Sequence, residues 1–321
     1  KEGSKPWAFL EALKMFKEYG FNTLSARPAD ADGLLANGFY TAVHTSEKVT
    51  KLDGVLFGMG LDSPAMYLKD DLIPKVKENV EKVRGQVPGR PVMNAIGYWL
   101  NEPAGVISNS IPPKAKYEEL VQALDVSAPY LYPVPYQPVR SIAEAVGRAE
   151  AASGGKKALL PILQIFAWDA KDRYPTPAEL KCMVYLALIH GADGIGYYSY
   201  GYVAGKKNTN IAAEQPALWQ SVKSINAEVA EIGVFLAGAS PDDTVTLSTG
   251  TPDVDMRAVK KGDAGLVLLS NPGDKPLEVT LQWGAATAIP LKRLDGGKEI
   301  AVQDGKASLT LGAFESVGLR R

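Results

Sequence analysis

Four carboxylates, Asp62, Glu102, Asp169 and Asp172, stand where apolar runs of this 321-residue chain give way to turns. Paired carboxyl groups can hydrolyse a glycosidic bond, at a separation of ~5–5.5 Å for retention of configuration or ~6.5–9.5 Å for inversion. At the ends of the same runs lie Arg27, His44, Asn101, Tyr132, Tyr136, Gln164, Trp168, Tyr198 and Tyr200. Aromatic rings offer flat apolar faces to the C–H sides of pyranoses, while guanidinium, imidazole, amide and carboxylate groups take the hydroxyls. The mixture is the lining expected of a carbohydrate site. Asp62, just ahead of a helix cap at a strand end, is the best-placed candidate acid, and burial must raise its pKa for that work near neutral pH. Glu102 is the second catalytic candidate. Asp169 is a candidate substrate contact, although it and Asp172 share a loop that can equally be solvated surface.

Other chemistries are short of material. Cys182 is the only cysteine and His44 and His190 are the only histidines, so no disulfide, CxxC redox pair or Cys/His zinc site is expected, and no cofactor is implied. Lys plus Arg total 35 against 36 for Asp plus Glu, of which 10 and 11 lie from Ala239 onward. Neither part has the basic excess that nucleic acid or an anionic membrane would select. No run approaches the ~20 apolar residues of a membrane span. The chain opens at Lys1 with neither an initiator Met nor a signal peptide, the look of a processed or trimmed chain, and a secreted or periplasmic location is expected.

The elements that must position these residues are legible. Strand-like runs at 21–26, 39–44, 55–61, 91–99, 126–132, 159–166 and 194–200 alternate with helix-period runs up to about Leu236, the pattern of parallel βα units. Ser63-Pro64 reads as an N-cap followed by proline at the first helical position, opening a helix toward Arg84. Ser141 with Glu144, and Thr176 with Glu179, spell capping boxes. Leu180, Met183, Val184, Ala187 and Leu188 draw an apolar stripe down one helix, and Gly191 stands at its C-terminal cap. Seven or eight such units in roughly 240 residues suit a (β/α)₈ barrel; an open doubly wound sheet is the rival, but no glycine-rich phosphate loop follows any strand. In the barrel reading the strand expected before residues 6–19 is absent or was trimmed away. Function then collects at the C-terminal strand ends.

Beyond Ala237-Gly238 the pattern changes to short strands at 244–248, 255–259, 265–270, 278–282, 287–291, 299–302 and 307–311, separated by turns such as Asn271-Pro272-Gly273-Asp274. This predicts an antiparallel β-sandwich. The expected organisation is a barrel over residues 1–238 and an accessory sandwich over 239–321. Several candidates also have plain structural readings. His44 is either a sugar contact or a buried hydrogen bond, His190 complements its helix dipole, and Cys182 is a small core residue. Asp125 is a structural hydrogen-bond partner. About half of Tyr197, Tyr198, Tyr200 and Tyr202 must face the helix layer.

The runs 163–168 (Leu-Gln-Ile-Phe-Ala-Trp), 173–183 (Arg-Tyr-Pro-Thr-Pro-Ala-Glu-Leu-Lys-Cys-Met) and 185–195 (Tyr-Leu-Ala-Leu-Ile-His-Gly-Ala-Asp-Gly-Ile) resemble the final two βα units of clan A-like glycoside hydrolase barrels of bacterial and metagenomic origin. Asp125-Val126 leading to Tyr132-Pro133-Val134-Pro135 is similar to an earlier strand of those proteins, which commonly carry a C-terminal β-sandwich. The resemblance implies a glycosidase acting on an oligo- or polysaccharide, and also exposes departures. Where such barrels carry Asp-Glu-Pro, this chain has Asp62-Ser63-Pro64; a second acidic position is Tyr130; Gln164 stands where a retaining enzyme often places its nucleophile. Asn101-Glu102-Pro103 spells an alternative motif, in which the resemblance implies that Asn101 holds the sugar 2-hydroxyl and Glu102 protonates the leaving oxygen. A barrel that binds carbohydrate without cutting it is the second reading. A lyase or aldolase ranks last, because none of the readable strands ends in the lysine that chemistry needs.

Overall fold

The computed structural model describes residues 6–45, 48–60, 71–97, 114–206, 209–248, 253–284 and 289–321. Its internal contacts divide the chain into two compact units, residues 1–130 with 148–161, and residues 131–147 with 162–321.

The first unit is a parallel βα array. After helix α1 (Pro6–Glu18) come β1 (Thr23–Ala26), a 3₁₀ turn and α2 (Ala31–Ala36), β2 (Tyr40–His44), β3 (Val55–Met59), α3 (Leu72–Gln86), β4 (Val92–Gly97), α4 (Lys114–Ala123), β5 (Val126–Tyr130) and β6 (Ala158–Leu159). Neighbouring strands pair in parallel in chain order from β1 to β6. Helix α3 buries Val76, Val80 and Val83, three or four residues apart, against this sheet. At Gly58 of β3 a Cβ would come within 2.8 Å of Val83 and 2.7 Å of Val87, so glycine lets the helix lie close. Asp125, ahead of β5, accepts two bonds from Arg84 and one from the Val92 N–H, all at 3.0 Å. One side chain thus ties α3, β4 and β5, the structural role expected of it.

The second unit holds β7 (Ile162–Gln164) and β8 (Gly196–Tyr198), paired in parallel and joined by α6 (Pro177–Ile189); α5 (Ser141–Ser153) precedes them in the chain, its first seven residues in this unit and the rest in the first, and α7 (Ile211–Glu214) and α8 (Pro216–Leu236) follow. The single strand expected at 159–166 is therefore two, interrupted at Leu160-Pro161, where proline offers no N–H to a ladder. Ser141 is also already inside α5, its hydroxyl donating to the Pro138 carbonyl, and is not an N-cap as expected. Antiparallel strands begin at β9 (Ser240–Pro241) and continue with β10 (Val245–Leu247), β11 (Asp255–Lys261), β12 (Ala264–Ser270), β13 (Leu277–Trp283), β14 (Lys292–Arg293), β15 (Lys306–Leu311) and β16 (Ser316–Arg320). They form a three-stranded sheet, β10-β13-β15, and a five-stranded one, β14-β16-β12-β11-β9, with Leu269, Val279, Leu281, Leu311, Val317 and Leu319 in the shared core. Two expected strands, 287–291 and 299–302, reduce among the described residues to a single Leu291–Ile300 bridge. Strand β16 hides in the sequence because Gly318 interrupts its apolar run. A Cβ there would lie 2.6 Å from Leu294 Cδ1.

Helix α6 departs from its expected one-sided stripe. Every residue from Glu179 to Ile189 except Lys181 is buried, because β7 and α8 pack against it together with β11, β12 and β16 of the sandwich. Its ends are as expected: Thr176 and Glu179 form the reciprocal capping box, and Gly191 at φ 111° lets the Ala192 N–H reach Ala187 O at 2.9 Å. The C-terminal carbonyl of Leu188 accepts from Arg257 of β11 at 2.7 Å, so the cation completing the helix end is Arg257. His190 instead pairs with the buried carboxylate of Asp255 at 2.7 Å. Cys182 is buried as expected, its Sγ 3.3 Å from Ser270 Oγ, and burial pushes its thiol up to about 12. The chain is a partial (β/α)₈ barrel followed by a β-sandwich.

Candidate functional site

The chemistry-bearing strand ends of the second unit form one aromatic group. Tyr132, after β5, meets Phe166 edge-on at 5.0 Å, Trp168 at 5.8 Å and Tyr198 in a stacked pair at 5.8 Å. Phe166 adds Trp168 at 5.2 Å, Tyr198 at 5.5 Å and Tyr202 at 5.5 Å. Tyr132 and Phe166 are buried and form the base, whereas Tyr198 and Tyr202 remain 45% and 41% exposed. It is their clustering, more than their exposure, that makes these rings a candidate ligand surface, since Tyr40 and Tyr136 are as exposed.

Gln164 explains how the base is held. Its carboxamide is wholly buried: Oε1 accepts from the Val134 N–H at 2.9 Å, and Nε2 donates to Val134 O at 2.8 Å and Phe166 O at 2.9 Å. All three bonds go to backbone, so Gln164 fixes the segment after β5 to the tip of β7 and is not open to a sugar hydroxyl, contrary to expectation. Trp168 Nε1 donates to Tyr132 O at 3.2 Å, adding a second tie between the same segments. At the rim, exposed Tyr136 donates to Asp172 at 2.8 Å, and that bond raises the phenol pKa and keeps the hydroxyl a donor. Asp169 is exposed and its carboxylate accepts from the Lys171 N–H at 3.4 Å.

The four tyrosines around β8 divide two and two, with Tyr200 departing from strict alternation because the strand ends at Tyr198. Tyr197 donates to Asn226 of α8 at 2.8 Å, and Tyr200 packs on Trp219 of α8 with ring centroids 5.1 Å apart. Tyr200, expected to meet substrate, is therefore packing against a helix, and burial raises its pKa. Tyr198 and Tyr202 belong to the aromatic group. Phe166 and Tyr202 were not among the expected contacts. The alternation Gln164, Phe166, Trp168 is the signal that singles out Phe166.

In the first unit, His44 closes β2, is half-buried and makes an exposed hydrogen bond with Ser25 of β1 at 2.7 Å. Arg27, after β1, points into an exposed pair with Asp30 at 3.1 Å. Asp62, Asn101 and Glu102 lie outside the described residues. Among the described residues no cluster of His, Cys, Asp and Glu could hold a metal ion, and no helix is long and apolar enough to cross a membrane.

Neither a protein-family model nor a curated protein sequence matches the chain. Solved structures do. A β-galactosidase from Bacillus circulans sp. alkalophilus superposes with a TM-score of 0.65 at 8% identity, over 99% of this chain and 97% of that one. An α-amylase from Lactobacillus plantarum gives 0.56 at 11% identity, over 98% and 94%. A GH30 endoxylanase from Clostridium papyrosolvens C71 gives 0.51 at 12%, over 96% and 91%. The chain shares the fold of these three structures. Identities this low establish the fold and no more; in a barrel, chemistry gathers at the C-terminal strand ends, where the aromatic group stands.

Proposed function

We propose that the protein is a glycoside hydrolase that cleaves O-glycosidic bonds of an oligo- or polysaccharide, with Asp62 and Glu102 as its catalytic carboxyl pair. The observation that carries the reading is the aromatic group at the tips of β7 and β8, half-open in Tyr198 and Tyr202 and backed by Tyr132, Phe166 and Trp168. Rings of this kind bind sugars through their C–H faces and leave hydroxyl recognition to polar neighbours such as Asp169 and Asp172. The glycosidase-type fold supports the same class of ligand. The two catalytic carboxylates rest on the sequence motifs alone. In the reaction the anomeric C–O bond breaks, the leaving oxygen takes a proton, and a water oxygen ends on the anomeric carbon.

The test is release of reducing sugar from a panel of glucans, xylans, mannans and galactans. Glu102→Gln and Asp62→Asn are each expected to lower turnover by about 100-fold or more, the usual worth of a positioned acid or base, while Trp168→Ala weakens substrate binding. Wild-type turnover in both carboxylate variants removes those assignments. A second reading, a barrel that holds carbohydrate without cutting it, is favoured by Gln164, which occupies the position where retaining relatives often carry a nucleophile and whose amide is spent on backbone. Saturable glycan binding without product after prolonged incubation selects that reading.

A further inference from the structure

The first unit brings a serine and a histidine together at the tips of β1 and β2. Leu24 and Ala26 of β1 pack on the cluster formed by Leu13 of α1, Leu34 of α2 and Phe39. Side chains alternate along a strand, so Ser25 between them stands on the opposite face from those helices, where it is exposed. His44 lies two residues beyond Ala42, the register partner of Ser25, and therefore on the same face at the C-terminal end of β2. The two side chains meet there, with Ser25 Oγ 2.7 Å from His44 Nε2. That is inside the ~2.6–3.2 Å at which a base can take a hydroxyl proton.

Ser25 has one proton to give. It can pass to His44 Nε2 or to the thioether of Met59, whose Sδ is 3.5 Å away at the end of β3. Sulfur is the weaker acceptor, so the unprotonated imidazole nitrogen is the better receiver. The bond is open to water and adds little to stability, so holding the fold together does not account for it. Among the described residues no carboxylate bonds to the other imidazole nitrogen. A pair without that third group stabilises its imidazolium less, which suits it to esters, whose alkoxide leaves more readily than an amide nitrogen.

We propose that Ser25 and His44 are the nucleophile and base of a second activity, the cleavage of carboxylic esters. Ser25 Oγ attacks the ester carbonyl as its proton passes to His44 Nε2; the ester C–O bond then breaks, and the imidazolium returns that proton to the departing alcohol. Water attacks the acyl-serine and loses a proton to Nε2, and that proton goes back to Ser25 Oγ as the carboxylic acid leaves. The pair lies wholly in the first unit and depends neither on the strand-tip aromatics nor on Asp62 and Glu102.

The test treats the full chain with a fluorophosphonate, which forms a stable adduct with a serine that a base activates, and locates the adduct by peptide mass mapping; hydrolysis of p-nitrophenyl acetate is followed in parallel. One adduct on Ser25 is expected, with ester hydrolysis that Ser25→Ala lowers to background. His44→Gln keeps a hydrogen-bonding side chain without a base and is expected to slow labelling by about 100-fold or more, the usual worth of a positioned base. Met59→Leu, close in volume and lacking the competing acceptor, should leave the rate unchanged or raise it. Ser25→Ala and Met59→Leu alter little volume, so the assignment stays testable if His44→Gln folds poorly. No adduct on Ser25, no hydrolysis above that of Ser25→Ala, or labelling that a folded His44→Gln leaves unslowed overturns the proposal. The probes contain no sugar, so failure of the glycosidase reading is seen separately, in the glycan panel.

Discussion

Two regions of the second unit are crowded with aromatic and polar side chains, yet they spend them in opposite ways. Around α6, Glu179, Cys182, Tyr185, Glu228 and His190 each find a partner inside the protein, and most are buried. At the tips of β7 and β8 the rings touch one another, and Tyr198 and Tyr202 still present large faces to solvent. Polar groups whose capacity is consumed internally hold a structure together, and surface left over is available for a ligand. Residue type alone does not separate the two. The accounting of partners does.

The largest expected effect breaks the inward-spent region. Lys181→Met removes the cation that faces Glu228 and leaves a buried carboxylate with only the Tyr185 hydroxyl, a loss expected to cost about 3 kcal/mol or more of stability. Urea denaturation measures it. Sugar binding at the strand tips should be unaffected, because Lys181 touches none of those rings. A loss under a few tenths of a kcal/mol would place the pair with ordinary surface ion pairs and dissolve the contrast.

Gln164→Leu comes next and joins the two regions. The substitution keeps approximate volume but orphans the Val134 N–H and C=O and one acceptor bond at Phe166, for a loss of about 2 kcal/mol. Unlike Lys181→Met, it should also weaken saccharide binding, because the clamp sets Tyr132 against Phe166. Denaturation and binding measured on the same variant distinguish a clamp that positions the rings from one that only stabilises: full binding with reduced stability would reject the positioning role.

Local signals carried much of this molecule into view from sequence. The Thr176–Glu179 capping box, the Gly191 cap, the parallel strands around Val55, Val92 and Val126, and the structural roles of Asp125 and Cys182 depend on near neighbours or on a repeated period. What stayed hidden depends on residues far apart in the chain. Helix α6 reads as one-sided because the residues covering its other face, among them Ser270 and Arg257, come some 70 to 90 positions later. Tyr200 looks like a mouth residue until Trp219 is laid over it, and Gln164 looks like a sugar contact until Val134 consumes its amide. The candidate site was legible as a class of residues, rings at strand ends, and less so as a choice among them.

The smallest expected effect sharpens the comparison through pH. Hydrogen bonds from Arg293 overcome burial to hold the Asp295 carboxyl down from 3.8 to about 2. A carboxyl with a lower pKa in the folded state binds protons more readily when unfolded, so its stabilisation is fully present above 3.8 and drains as the pH falls toward about 2. Glu179 shifts in the same direction: burial opposes its charge, but bonds from Arg173 and Thr176 outweigh that penalty. Between those pH values the unfolding free energy of the wild type should therefore fall more steeply than that of Asp295→Asn, as read by urea titrations at several pH values. The difference should shrink at high salt, because Asp295 and Arg293 retain access to solvent and their attraction is screened. Parallel slopes in the two proteins would mean that the Arg293 pair contributes nothing to stability in solution.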